Sequence, residues 1–400
     1  MKRRIFIVIL TAMFHIGRSQ VPTVTNLLND VRIDSMKMFV EELTGLKQVV
    51  INGVLDTINS RYAYSPGNAK AFYYLKQKFQ QYGLSVDSLA FNPTGKNVFG
   101  IKYGTKYPNQ KYILGAHYDN HPPFNVAPGA DDNASGTAAV IEAARIFSNY
   151  NFSYTIVFAG WDEEELGLLG SIAYVNNALS NNDSILGYIN LDMLGWDGNN
   201  DSIADINVKP VANSLALANK ALMLNTTYSI GLSIHTVNPG NTSTDHAPFW
   251  NNGLTAIGID EAYDTDFNPY WHTLADSLGQ FNLSYYERVA KLAYATLAEC
   301  ALDTAYTIGI NEPQIFDNTI QLYPNPFSES LSVSFANPVS SMLRLTIVNT
   351  LGEICYVTIL PEGINRHTVE MNTLNPGIYY YQVKLLNGQI IEQGKIIKMN

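Results

Sequence analysis

Residues 154–170 read YTIVFAGWDEEELGLLG, an apolar run followed at once by four consecutive acidic residues. The run from Tyr154 to Gly160 has the length and composition of a buried strand, and the charges mark its end. Carboxylates this close together repel one another. The segment 162–165 is therefore either a solvated turn or one wall of a site that holds a cation.

Other apolar runs end in the same way. Lys111 to Ala116 leads into His117 and Asp119, and Ser184 to Leu191 leads into Asp192. Helical patterns lie between these runs, and this alternation predicts an α/β fold with a mixed, mostly parallel sheet flanked by helices. Because strands of one direction end at one edge of such a sheet, the polar residues should meet in a crevice there.

Two histidines and several carboxylates at one edge favour a metal site. Mixed imidazole and carboxylate ligands suit zinc, with manganese or cobalt as other options. The surplus of carboxylates fits two metals that share one bridging carboxylate. Each element alone is weak evidence, since a run such as 162–165 is usually a solvated turn and the cluster 129–136 is usually a helix N-cap.

Length and composition limit the number of domains and the class of partner. The chain has 400 residues and a formal net charge of -10. Such a length suggests two or three domains, and an acidic chain without a basic patch argues against a nucleic-acid partner. Cys300 and Cys355 are the two cysteines; two buried thiols and one disulfide bridge are both open interpretations.

The N-terminus, MKRRIFIVILTAMFHIGRSQ, predicts a signal peptide over residues 1–19. A basic start precedes an apolar stretch of about ten residues, which is too short to span a bilayer, and small residues follow at Gly17 and Ser19. A buried N-terminal helix is the alternative. No later apolar run is long enough for a membrane helix, so we expect no transmembrane segment in the mature chain.

The motifs resemble those of the M28 family of zinc aminopeptidases in sequence and in order, over roughly residues 30–300. The matching motifs are His117-x-Asp119, Gly-Ala-Asp-Asp132-Asn-Ala-Ser-Gly, Glu164-Glu165-Leu-Gly-Leu-Leu-Gly-Ser, Asn-Leu-Asp192, Thr-Asp245-His-Ala-Pro-Phe and His272-Thr. The resemblance implies a zinc-peptidase domain, which we expect to occupy residues 20–305. It also implies an enzyme that removes N-terminal residues from peptides, and the predicted signal peptide indicates that this enzyme is secreted.

The resemblance further implies two zinc ions. His117 and Asp192 would hold one, Glu165 and His272 the other, and Asp132 would bridge both. We expect Asp132 rather than Asp131 because the family ligand precedes the Ser-Gly pair by three residues. The family often has a cis peptide after this aspartate, so Asp132–Asn133 is a candidate.

The remaining acids follow from the same resemblance. Asp119 resembles the acid that orients the first histidine. Glu164 would be the general base that takes a proton from a metal-bridging water. Asp162 and Glu163 are expected to be solvated or hydrogen-bonded to the loop, and Asp245 to be structural rather than a ligand.

Residues 320–400 read as short β runs punctuated by turns, after a linker at 306–319, and predict a small β-sandwich. The segments Leu322-Tyr-Pro-Asn-Pro-Phe327, Asn349-x-Leu-Gly352 and Lys395-Ile-Ile-Lys398 resemble the type IX secretion sorting domain of Bacteroidetes. This resemblance implies export across the outer membrane to the cell surface or medium, with the secretion machinery as partner. An ordinary binding sandwich is the alternative.

Three alternatives share the first fold. A glutaminyl cyclase, which uses a single zinc, also has a Glu-Glu pair and a Trp-His like Trp271-His272; other M28 members are carboxypeptidases; and a binding module would lack ligands or base. Among the other histidines, His121 should lie at a pocket rim or be exposed, His246 could line the pocket, and His235 has no predicted partner.

Overall fold

The computed structural model describes residues 23–121, 128–302, 320–339, 342–350, 354–372, 374–385 and 390–399. The predicted signal peptide and linker lie outside these described residues. The chain divides into two compact units, Met1–Ala305 and Tyr306–Asn400, and each is described by itself.

The first unit alternates strands with helices. Its described strands are β1 (Val49–Ile51), β2 (Val54–Asp56), β3 (Ser85–Ala90), β4 (Lys96–Lys102), β5 (Tyr107–His117), β6 (Tyr154–Trp161), β7 (Ser184–Asp192), β8 (Ile203–Asn207), β9 (Ser233–Val237) and β10 (Ala256–Glu261). Its α-helices are α1 (Val24–Asn29), α2 (Ile33–Leu43), α3 (Pro66–Gln81), α4 (Gly136–Phe147), α5 (Leu169–Ser180), α6 (Ser214–Thr227), α7 (Ala247–Asn251) and α8 (Leu283–Ala301).

An eight-stranded sheet forms the centre of this unit, in the order β3-β4-β6-β5-β7-β10-β8-β9. The four central strands β6, β5, β7 and β10 are parallel. Strand β4 runs antiparallel to β6, and β8 runs antiparallel to β10, so the two flanks make the sheet mixed. The prediction of a mostly parallel mixed sheet is confirmed.

Both faces of the central sheet are buried, which is why its strands read as continuous apolar runs. In β6, Ile156 and Phe158 pack into a core shared with α1–α4, α6 and α8, whereas Val157 and Trp161 pack on the opposite face with α5 and α7. The alternation has period two, as a strand requires. This double burial leaves the ends of the central strands as the place for polar side chains.

Helix boundaries follow local signals. Helix α3 begins with Pro66, and after its C-cap the chain turns at Gly83, whose φ of 72° is readily adopted only by glycine. Helix α8 is capped by the Asn282 side chain, which accepts a hydrogen bond from the Tyr285 amide. Among the described residues, no helix has the length and apolar character needed to cross a membrane. Cys300, near the end of α8, is a buried free thiol.

The second unit consists of two antiparallel sheets. Its described strands are β11 (Ile320–Tyr323), β12 (Ser330–Phe335), β13 (Leu343–Val348), β14 (Ile354–Leu360), β15 (Arg366–Glu370), β16 (Gly377–Leu385) and β17 (Ile390–Lys398). One sheet has the order β11-β12-β15 and the other β14-β13-β16-β17. Leu331 and Val333 of the first sheet share one core with Leu345 and Val383 of the second, which agrees with the predicted sandwich.

Candidate metal centre

The predicted metal ligands lie where the central parallel strands end. His117 is the last residue of β5 and Asp192 the last residue of β7, while Glu164 and Glu165 lie in the turn that follows β6. Because β6, β5 and β7 are adjacent and parallel, their carboxyl ends bring these side chains to one edge of the sheet.

Asp132 reaches the same edge from the turn Ala130–Ser135, which leads into α4 and departs from helical geometry at Asp132 and Asn133. The peptide bond between Asp132 and Asn133 is cis, as predicted. The Asp276 carboxylate accepts hydrogen bonds from the Asp131 and Asp132 amides at 2.8 and 3.1 Å. The Asn133 side-chain amide donates to the Leu191 carbonyl at 2.9 Å. The turn is thereby tied to the strand that carries Asp192.

The first cluster consists of His117, Asp192 and Glu164, whose potential ligand atoms lie within 4.8 Å of one another. His117 Nε2 is 3.3 Å from Asp192 Oδ1 and 3.4 Å from Asp132 Oδ1. Glu164, predicted as the general base, lies beside this pair, as Asp132 does.

The second cluster consists of Asp132, Glu165 and His272. His272 Nε2 is 3.0 Å from Asp132 Oδ2 and 3.3 Å from Glu165 Oε2. The φ of His272 is 57°, a region that non-glycine residues rarely adopt and that often marks functional sites. Asp132 therefore presents one oxygen to His117 and the other to His272, as a bridging carboxylate would.

Asp119 supports the turn that carries both glutamates. Its carboxylate is buried and accepts hydrogen bonds from the Glu164 amide at 3.1 Å and the Glu165 amide at 3.2 Å. Asp119 Oδ1 is also 3.4 Å from His117 Nδ1, which is long for a hydrogen bond. The side chain expected to orient His117 thus also fixes the backbone of the neighbouring acids.

The charges of the clusters are poorly balanced by the protein itself. Burial and the nearby Asp132 carboxylate raise the pKa of Glu165 to about 7. Burial, with Asp245 and Asp192 nearby, raises the pKa of Glu164 well above its usual value, although His117 opposes this shift. Despite burial, hydrogen bonds to Asp132 and Glu165 raise the pKa of His272 to about 9. Neighbouring dications would reverse these shifts.

The residues present fit a pair of zinc ions. Each cluster combines one imidazole with carboxylates, the donor set that zinc accepts. Glu165 Oε1 is buried and has no hydrogen-bond partner, an arrangement that costs free energy unless a ligand satisfies the oxygen. A cleft of about 880 Å³ opens onto both clusters, so a substrate could reach them.

Asp162 and Glu163 differ from the expectation that they could be solvated, because both are buried. Asp162 accepts hydrogen bonds from the Asn68 side chain at 2.7 Å and the Lys96 amide at 2.9 Å. Glu163 accepts one from the Thr94 hydroxyl at 2.7 Å. The hydrogen-bonded alternative therefore holds, and these acids anchor the turn to the segment before β4.

The remaining histidines occupy three different settings. The His121 ring stacks on His272 with 3.9 Å between centroids, at the rim of the site as expected. His235 Nδ1 is 3.0 Å from Asp205 Oδ1, a partner that the sequence did not reveal. His246 was expected as a pocket residue, but it is fully buried beneath the cleft, where burial lowers its pKa to about 4.

Two further buried residues lie near the site, and only the first of them was singled out by the sequence. Asp245 is fully buried and accepts a hydrogen bond from the Ser171 hydroxyl, in keeping with the structural role expected for it. The Arg61 guanidinium is also fully buried and donates to the carbonyls of Tyr118 and Gly129 at 2.8 and 2.7 Å. Arg61 thus ties together the segments that bear Asp119 and Asp132, although burial lowers its pKa to about 10.

Comparison with known proteins agrees with this geometry. Residues 97–297 match the profile of peptidase family M28, and residues 321–399 match that of the secretion system C-terminal sorting domain. The aminopeptidase YwaD of Bacillus subtilis (strain 168) is 29% identical over 214 residues, which are 52% of this chain but only 45% of that protein. The chain therefore spans less than half the length of this relative.

Solved structures share the fold. The LapA aminopeptidase of Legionella pneumophila superposes with a TM-score of 0.60 at 21% identity, covering 75% of this chain and 80% of that one. The glutaminyl cyclase of Bacteroides thetaiotaomicron has a TM-score of 0.54 at 19% identity, covering 67% and 97%. Structural likeness at such identities shows the fold and leaves the reaction open. The family profile spans half of the chain and includes the motifs of both clusters, so the chain belongs to peptidase family M28, with a C-terminal secretion sorting domain.

Proposed function

We propose that this chain is a secreted dizinc aminopeptidase that removes N-terminal residues from peptides. The observation that carries the proposal is the position of Asp132 between two imidazole–carboxylate clusters at the end of an open cleft. A single bridging carboxylate suits two metal ions about 3.5–4 Å apart, and such pairs serve hydrolysis.

The ligands are assigned as in the family. His117 and Asp192 would hold one zinc ion, Glu165 and His272 would hold the other, and Asp132 would contact both. When bound, the zinc ions lower the pKa of a water molecule and polarise the carbonyl oxygen of the scissile peptide bond. The name of one solved relative, BSAP, a zinc aminopeptidase from Bacillus subtilis, supports zinc as the metal.

Glu164 is assigned as the general base. It belongs to the first cluster, lines the cleft, and its own amide donates a hydrogen bond to Asp119. In the reaction, Glu164 takes a proton from the attacking water as the new carbon–oxygen bond forms. It then passes that proton to the leaving amine as the carbon–nitrogen bond breaks.

The sorting domain supports a second part of the proposal. Residues 321–399 match a secretion sorting family, so we assign them the role of directing the peptidase unit to the export machinery and outside the cell. Fusion of this segment to an unrelated exported reporter should send the reporter to the medium or cell surface. Retention of the reporter in the periplasm would contradict this role.

The catalytic proposal is tested with a panel of aminoacyl substrates, with and without chelator. Wild type should release single N-terminal residues, and the chelator should abolish release. Glu164→Gln should retain zinc while kcat falls by about 10²–10⁴-fold. Glu163→Gln is the matched control. The Glu163 carboxylate is adjacent in sequence, but it accepts a hydrogen bond from Thr94 instead of facing the clusters. Full activity of Glu164→Gln would contradict the mechanism.

The alternatives are separated by product. A peptide with N-terminal glutamine should lose that residue as glutamine; conversion to pyroglutamate without release would instead indicate a cyclase. A peptide with an acetylated N-terminus should resist cleavage, because a blocked amine removes the group that distinguishes this end of the substrate. Release of its C-terminal residue would indicate a carboxypeptidase.

A further inference from the structure

A row of ionisable residues extends from the metal centre across four adjacent strands. In the strand register, Asp192 of β7 pairs with Asp260 of β10, Asp260 pairs with Asp205 of β8, and Asp205 pairs with His235 of β9. Residues that pair directly point to the same face of a sheet, and adjacent strands lie about 4.8 Å apart. Asp260 and Asp205 therefore follow Asp192 at about 5 and 10 Å.

The partners of this row leave negative charge unbalanced. Asp205 is paired with His235 and also accepts a hydrogen bond from the Tyr263 amide at 3.1 Å. Asp260 has one partner, the Asn207 side-chain amide, which donates to Oδ2 at 2.6 Å, whereas the inaccessible Oδ1 has none. Like charges placed opposite each other across strands are destabilising, so Asp260 lacks the counter-charge that its position calls for.

The neighbouring residue supports the same conclusion. Glu261 is 3% exposed and lines the cleft; its Oε2 accepts a hydrogen bond from the Trp196 amide at 3.0 Å, whereas its Oε1 has no hydrogen-bond partner. No lysine or arginine is found among the cleft-lining residues that the structure describes. The metal clusters account for Asp192 and His235 accounts for Asp205, but neither accounts for Asp260 or Glu261. The described chain therefore supplies no cation to this wall of the cleft, and the counter-charge must come from a bound molecule.

An organic cation fits this wall better than a third metal ion. Within the described residues, Asp205 and Asp260 belong to no cluster tight enough to hold an ion. An extended lysine side chain is roughly 6 Å long from Cα to Nζ, which matches the distance of one to two strands between the metal centre and these carboxylates. Tyr263 and Phe267 also line the cleft and could contact the aliphatic stem.

We propose that Asp260, assisted by Asp205, forms a specificity subsite for the positively charged side chain of an N-terminal lysine or arginine. This inference rests on the proposed aminopeptidase function and names its substrate class. Asp260 is a specificity-determining residue: it lines the cleft, and its negative charge attracts the ammonium or guanidinium group while the scissile bond lies at the metal centre.

The test compares lysyl with norleucyl substrates, because norleucine has the same aliphatic chain without the ammonium group. Wild type should favour the lysyl substrate by at least about tenfold in kcat/KM, and Asp260→Asn should lower that ratio by about tenfold or more. Asp87→Asn removes an equal charge from an exposed position on β3 and should leave the ratio unchanged. Zinc content is measured for each variant, since Asp260 adjoins Asp192.

A binding measurement separates failure of this inference from failure of the proposed function. Lysinamide and norleucinamide are titrated into the zinc-loaded Glu164→Gln protein, where turnover is not needed. Tighter binding of lysinamide, lost in the Asp260→Asn double variant, supports the subsite. Equal binding of the two amides, or a wild-type preference for norleucyl substrates, overturns it. Lysinamide selectivity without hydrolysis of any aminoacyl substrate by wild type would overturn the aminopeptidase function alone.

Discussion

Replacement of Asp119 by asparagine tests how the metal centre is built. The buried Asp119 carboxylate accepts hydrogen bonds from the amides of Glu164 and Glu165. Asparagine keeps one acceptor oxygen but turns an NH₂ group toward the other amide. One charge-assisted hydrogen bond is lost and one buried donor is left unpaired. The free energy of unfolding should therefore be about 3 kcal/mol lower than in wild type.

The same substitution should also weaken metal binding. Asp119 fixes the turn that presents Glu165 and lies beside His117, and loss of such supporting contacts typically lowers metal affinity by about 10–100-fold. The assay is zinc titration against a competing chelator, combined with urea unfolding of the metal-free chain. Asp162→Asn is the matched control, because Asp162 is a buried carboxylate on the same turn that bonds to Asn68 and Lys96. It should lose stability while keeping zinc affinity; an equal loss of zinc affinity in both variants would contradict this role of Asp119.

Three further predictions concern protonation and packing. Since the pKa of His272 is about 9 without metal, zinc binding at pH 7 should release at least one proton. The measurement is calorimetry of zinc binding in buffers that differ in ionisation enthalpy. A binding enthalpy that is the same in all buffers would contradict this prediction. Burial lowers the pKa of His246 to about 4, so the unfolded chain takes up the proton first as pH falls below about 6.5. Wild type should therefore lose about 2 kcal/mol more stability than His246→Gln between pH 7 and 5, measured by urea unfolding, and equal losses would contradict it. Finally, a methyl group at Gly136 would lie 2.5 Å from the Leu191 carbonyl oxygen, so Gly136→Ala should destabilise the chain by about 1–3 kcal/mol in thermal unfolding; wild-type stability would show that α4 can shift freely.

The sequence was sufficient to predict the central strands and the residues at their ends. Tyr154 to Gly160 and Ser184 to Leu191 are continuous apolar runs because both faces of the sheet are covered, and this pattern is visible without coordinates. The convergence of His117 with Asp192 followed from a general rule about where parallel strands end.

The supporting contacts of the site could not be predicted in the same way. Arg61 bonds to Tyr118 and Gly129, which are 57 and 68 residues away in the chain, and Asp276 bonds to the amide of Asp132 from 144 residues away. Neither residue lies in a periodic pattern or a short motif. Their partners are backbone groups, whose positions depend on how the loops fold. Any residue type has such groups, so the sequence does not indicate these contacts.

Burial of acids near the site was also difficult to predict. Asp162 and Glu163 belong to a charged run that composition alone assigns to solvent, yet both have hydrogen-bond partners on the segment from Asn92 to Lys96. His246 was expected to line the pocket because it adjoins the motif residue Asp245. It is instead buried below the cleft and packs against the Trp250 ring. In both cases tertiary contacts override the preference suggested by local sequence.

The proposed aminopeptidase activity requires two metal ions, held by His117, Asp192, Asp132, Glu165 and His272. The decisive measurement is the metal content of the intact purified chain, together with the stoichiometry of zinc binding to the metal-free protein. We predict two zinc ions per chain. One ion per chain would favour the cyclase alternative, and none would contradict the metal centre itself.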